Sequence, residues 1–128
     1  MREGGGQVSE PESLERGSLV AIEEDGETIY SYSYYDVHEP DSSAGALQAR
    51  GFQGGGPSWA GIIHGLVALR APTIASVIHL NDESDGLSVE SNDRAALIRV
   101  AELVAAAKRD PALLDAAIQR AQADGEME

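Results

Sequence analysis

Cysteine is absent from the 128-residue chain, so neither disulfides nor thiolate metal sites contribute, and the fold has to rest on packing and hydrogen bonds. Lysine is almost absent: Lys108 stands alone beside eight scattered arginines, against 22 acidic residues. Neutralising a phosphate backbone requires clustered cations, so nucleic acid is not an expected partner. An anionic membrane surface is disfavoured for the same reason. No run approaches the roughly 18 to 20 consecutive apolar residues that span a bilayer. Residues 1–6 lead into no apolar signal stretch, and the cytoplasm is the expected compartment.

What is present is enough apolar residue, 42% of the chain, for one core, whereas two domains would leave neither with enough to bury. The formal net charge is −13, and its distribution is more informative than its size. Residues 17–49 hold Glu23, Glu24, Asp25, Glu27, Asp36, Glu39 and Asp41 with no Lys or Arg. Residues 81–93 hold Asp82, Glu83, Asp85, Glu90 and Asp93, again with no cation. Charge that served solubility alone would mix signs, whereas single-sign blocks repel themselves until a partner of opposite sign relieves them. The blocks therefore mark a candidate contact surface for a basic protein.

Residues 1–16, rich in Gly, Ser and Glu, are expected as a mobile tail, since they offer little apolar area to offset ordering. Residues 17–124 are read as one domain and 125–128 as an acidic end. Residues 19–23 and 27–35 are β-favouring runs around Glu24-Asp25-Gly26, a hairpin signal. Within the second run Tyr30, Tyr32 and Tyr34 share one face at period two, a pattern of core packing. Residues 38–56 read as a long loop with Gly45, Gly51 and a Gly54-Gly55-Gly56 triplet. Pro57 then suits the first turn of a helix whose stripe is Trp59, Ile62, Ile63, Leu66, Val67 and Leu69. Residues 74–80 read as a buried strand and 87–90 as its hairpin partner, with Leu87 and Val89 inward. Asn92 or Asp93 can cap the next helix, with Ala96, Leu97, Val100, Leu103, Val104 and Ala107 buried and Arg94, Arg99, Glu102 and Lys108 outside. Asp110-Pro111 ends it and starts a last helix bearing Leu113, Leu114, Ala117 and Ile118. The order β-β-α-β-β-α-α predicts an α+β fold: an antiparallel sheet of about four strands with helices packed on one face. The other face is left free for recognition and is expected to carry part of the acidic series and the tyrosines, which supply large contact area at low entropic cost.

No catalytic constellation is complete. Gly56-Pro57-Ser58-Trp59-Ala60 lacks the second glycine of a nucleophile elbow, so Ser58 reads as a helix-start serine. The glycine triplet has neither phosphate-loop spacing nor an adjacent cation. His38, His64 and His79 match no metal-ligand spacing. Residues 81–86 superficially resemble a calcium loop, but the twelfth position is Asn92 and the flanks read as strands, which leaves an acidic β-turn. No enzyme activity, cofactor or metal is expected, and the oligomeric state is left open.

Gly51-Phe52-Gln53-Gly54-Gly55-Gly56-Pro57-Ser58-Trp59, the apolar run entering Asn81-Asp82-Glu83-Ser84-Asp85-Gly86-Leu87-Ser88-Val89-Glu90-Ser91, and the two closing helices resemble the immunity protein 51 family of bacterial polymorphic-toxin systems. The resemblance covers roughly residues 50–121, and the first hairpin fits only in general character. It implies a non-catalytic protein that binds a cognate toxin domain and blocks its active site or substrate path. A basic toxin cleft would meet Asp82, Glu83, Asp85 and Glu90, with Asp36 and Glu39 from the long loop, while Trp59 anchors its helix in the core. The competing reading is an acidic regulatory or assembly domain with no toxin partner; a small hydrolase using Ser58 or a histidine comes third.

Overall fold

A computed structural model describes residues 7–35 and 42–127. Four strands of five to eight residues form the body of the sheet: β3 (Ser18–Glu24), β4 (Glu27–Tyr34), β5 (His79–Glu83) and β6 (Gly86–Ser91). Two-residue strands β1 (Gln7–Val8) and β2 (Glu12–Ser13) both pair with β3. The strand order is β1-β3-β4-β6-β5, antiparallel throughout. The two expected hairpins are therefore joined through their second strands, and β5 is left at an edge. Asp25 and Gly26 turn the first hairpin with φ of 52° and 81°, the left-handed pair that matches strand twist and that Asp-Gly adopts readily.

Alternation decides the core. Tyr32 and Tyr34 lie opposite Val89 and Leu87, and all four are completely buried, so these two tyrosines line the core and not the recognition face expected for them. On them pack α2 (Gly56–Arg70), α3 (Arg94–Arg109) and α4 (Pro111–Ala123). Trp59 is fully buried and meets Tyr34 edge-on, ring centroids 5.5 Å apart. Asp93 caps α3 by accepting from the Ala95 and Ala96 amides at 3.0 and 3.4 Å. Asp110 does the same for α4 through the Ala112 and Leu113 amides at 3.0 and 3.3 Å, with Pro111 in the first turn. The α+β class with helices on one sheet face is thus the observed one.

Four further expectations are corrected. Part of the long loop is a helix, α1 (Ser42–Ala49), which buries Leu47 and ties Arg50 to Asp115 of α4. Residues 74–80 are not a buried strand: Pro72–Val77 form a 3₁₀ helix, and β5 begins only at His79, with one face and one edge open among the described residues. A β-branched composition makes a strand only where a neighbour exists to pair with it. Residues 7–16 of the expected tail lie on the domain. Leu14 packs against the core, Tyr32 donates its hydroxyl to the Arg16 carbonyl at 2.8 Å, and Glu12 and Glu15 pair with Arg94 and Arg109 of α3. Lys108, expected outside, is 8% exposed, its Nζ 5.6 Å from the Tyr34 ring centre and 5.2 Å from that of Trp59. The aromatic faces take the ammonium that the helical pattern alone assigns to solvent.

Candidate functional site

The β5–β6 hairpin carries the second acidic block, and its register sorts the carboxylates. Glu83 pairs with Gly86, Asn81 with Ser88 and His79 with Glu90. These residues therefore share the sheet face opposite Leu87 and Val89, the face that carries no helix among the described residues. Glu83 and Glu90 belong to this open face, about four residues or roughly 13 Å apart along the strand direction. Asp82, opposite Leu87, sits on the helix-side face at the sheet edge and is exposed there, while Asp85 is exposed in the two-residue turn. Asp36 and Glu39 lie outside the described residues, as does His38.

Two contacts fix the hairpin. The Gly56 amide at the start of α2 donates to the Ser84 carbonyl at 3.2 Å. A β-carbon at Gly56 would press on the Glu83 and Gly86 carbonyl oxygens, so α2 and the turn meet backbone to backbone. On the open side Tyr35 lies over Gly86 and directs its hydroxyl to Glu83 Oε1, 3.4 Å away. Tyr35 was not among the sequence candidates; it follows the tyrosine series, but only the pairing of β4 with β6 places it beside the acidic turn.

Toward the other end of the open face lies a shallow cavity of about 450 Å³, bounded by Ile29, Val77, His79, Glu90 and Asn92 among others. Apolar walls beside a half-buried carboxylate suit a side chain with an aliphatic stem and a cationic head. The carboxylates of the first hairpin turn, Glu24, Asp25 and Glu27, lie at the opposite end of the sheet from Glu83 and Asp85, because β4 runs its full length between them. The two hairpin turns thus carry separate acidic groups, with Glu90 between them along the sheet.

The chemistry-bearing candidates are dispersed. Ser58 is fully buried and accepts from the Gly54 amide at 3.1 Å, a helix-start contact. His79 is on β5, whereas His64 Nε2 donates to Asp124 Oδ2 at 2.9 Å on the helical side, an ionised carboxylate being acceptor only. Among the described residues no three His, Asp or Glu are grouped to hold a metal ion, and no helix is long and apolar enough to cross a membrane.

The hydrogen bond from His64, and then that from Arg120, hold the Asp124 carboxyl below its ordinary value of 3.8, with burial opposing them. A lowered folded value means that the contribution to stability is present above 3.8 and is lost as pH falls through the folded value. Asp124→Asn should therefore melt below the wild type near neutral pH, and the gap should close under acid. Thermal melts across pH 2 to 7 check this, and a gap independent of pH would refute it.

The described residues form a small antiparallel α+β domain with its helices on one sheet face, and comparison with protein families places it among the immunity proteins. The chain belongs to the family described as Immunity protein 51, whose model matches residues 19–123, from the first core strand to the end of α4. The match takes in the first hairpin, which the resemblance over residues 50–121 had fitted only in general character. No curated protein and no solved structure matches the chain.

Proposed function

We propose that this immunity protein binds a cognate bacterial toxin domain in the cytoplasm and neutralises it by covering a basic active site or substrate path, without catalysis. The observation that supports this most directly is the β5–β6 hairpin. It presents Asp82, Glu83 and Asp85 at an exposed turn held from both sides, with Glu90 further along the open face and no cation between residues 81 and 93. Carboxylates fixed in this way can occupy positions that substrate phosphates take in a cationic cleft, and they accelerate encounter with it. Asp36 and Glu39 belong to the same proposal as contacts from the adjoining loop.

The test is co-expression with the product of the adjacent reading frame. Growth should be rescued, and purified proteins should associate at a rate that drops by about an order of magnitude between roughly 0.05 and 0.5 M salt. An association rate indifferent to salt would remove the electrostatic part of the proposal. Absence of both rescue and binding would favour the acidic assembly-domain reading.

A further inference from the structure

We propose that β5 (His79–Glu83) receives the toxin as an added β-strand, a basic extended segment pairing with the edge that no described strand occupies; this rests on the toxin-binding reading above and specifies how contact is made. β5 is the last strand in the order β1-β3-β4-β6-β5. A two-residue turn makes Glu83 and Gly86 a hydrogen-bonded pair, and in an antiparallel ladder such pairs alternate with non-bonded ones. Asn81 and His79 consequently bond to Ser88 and Glu90, whereas the amides and carbonyls of Leu80 and Asp82 point away from β6 toward the edge. Every residue of β5 except Leu80 is exposed.

The side chains along this edge specify the occupant. On the open face Asn81 and Glu83 flank an added strand, and on the helix-side face Leu80 and Asp82 do so. Beside Leu80 runs a groove of about 240 Å³ between α2 and β5, whose walls include Val67, Ala68, Ile78 and Leu80. An incoming strand would place one basic residue against Glu83 and the next against Asp82. Two positions from the latter, an apolar residue would lie over the groove. A second copy of this chain is the wrong occupant, since residues 79–93 hold no Lys or Arg and edge-to-edge pairing of two β5 strands would bring two acidic hairpins together with no Lys or Arg from either to neutralise them. Strand addition draws affinity from main-chain hydrogen bonds and specificity from alternate side chains, and β5 offers both.

Asp82→Pro is the discriminating variant. The Asp82 amide makes no bond to β6, so proline at this edge position removes no ladder hydrogen bond inside the protein but blocks one to a partner. Asp82→Ala removes the carboxylate and keeps the amide. With the adjacent reading frame's product, purified in an inactivated form, the proline variant should bind about tenfold or more weaker than the alanine variant. Hydrogen exchange on the wild-type complex should show the Leu80 and Asp82 amides slowed on binding. Those of Asn81 and Glu83, already in the ladder, should change little. The exchange measurement decides the matter even where the proline variant fails to fold. If the wild-type chain binds but neither the variant difference nor the exchange pattern appears, strand addition is wrong and the toxin-binding reading stands. If the wild-type chain does not bind, both fall. A wild-type dimer in sedimentation that Asp82→Pro disperses would instead assign the edge to a second copy and overturn the proposal.

Discussion

Asp82→Lys, Glu83→Lys and Glu90→Lys combined should weaken binding of the cognate toxin domain by at least about a hundredfold, by reversing the charge that meets its basic surface. Folding should hardly notice. Asp82 and Glu83 are exposed and Glu90 is half exposed, and surface substitutions of this kind usually change stability by about 0.5 kcal/mol or less. The informative control is the same charge change at the other end of the sheet, Glu24→Lys, Asp25→Lys and Glu27→Lys. The eight residues of β4 separate the two turns by roughly 26 Å, several times the screening length of about 8 Å at physiological salt. If binding is local to the second hairpin, this control keeps affinity within a few-fold; if only total charge matters, the two triple variants lose equally. Titration calorimetry with thermal melts of both variants separates these outcomes. Equal losses would sink the assignment of the site to β5 and β6.

That contrast shows which parts of the molecule local sequence carries. The Tyr30, Tyr32, Tyr34 series, the α3 stripe and the Asp93 and Asp110 caps are local signals of period or position, and each is found where local physics puts it. What depends on distant partners was not legible. The 3₁₀ segment at Pro72–Val77 has strand composition but no strand to pair with. Lys108 is buried where Tyr34 and Trp59, from a strand and another helix, converge over it. The N-terminal arm is held by the Glu12–Arg94 and Glu15–Arg109 pairs, which composition cannot anticipate. α1 was masked by Gly45 and by loop-forming residues on both sides, although Ala44, Ala46, Leu47, Gln48 and Ala49 favour helix. The candidate site divides in the same way. That residues 81–86 form an acidic hairpin turn is local, and alternation separates Asp82 from Glu83. Which edge of β5 is free follows only from the pairing of β4 with β6.

Gly65→Ala should destabilise the fold by about 2 to 3 kcal/mol, while Gly61→Ala, one helical turn earlier on α2, should cost at least about 1 kcal/mol less. In the middle of a helix the exchange of Gly for Ala favours folding by up to about 1 kcal/mol, so propensity alone predicts a gain at both positions. What differs is the material opposite. A β-carbon at Gly65 would lie 2.8 Å from the Ala117 carbonyl carbon and closer still to its oxygen. Ala117 is fully buried in the middle of α4, where its carbonyl is fixed in the helical ladder. Relief would require the two helices to separate along their whole contact, opening space around Ile62, Leu66, Leu114 and Ile118. A β-carbon at Gly61 would meet Met127 Sδ at 2.6 Å and the Glu126 carbonyl oxygen at 2.8 Å. Those atoms lie past the end of α4: the flexible thioether can swing aside, whereas the Glu126 carbonyl has to give slightly in a turn held by the Glu126 amide on the Ala121 carbonyl, outside the helical ladder. Because the same substitution is made in the same helix, helix propensity cancels in the comparison and leaves the close approach of α2 to α4. Urea denaturation of the two variants reads the difference directly. Equal midpoints would mean that the helices are not packed as closely as their backbones are placed here, and the base on which Gly56 holds the acidic turn would be in doubt with them.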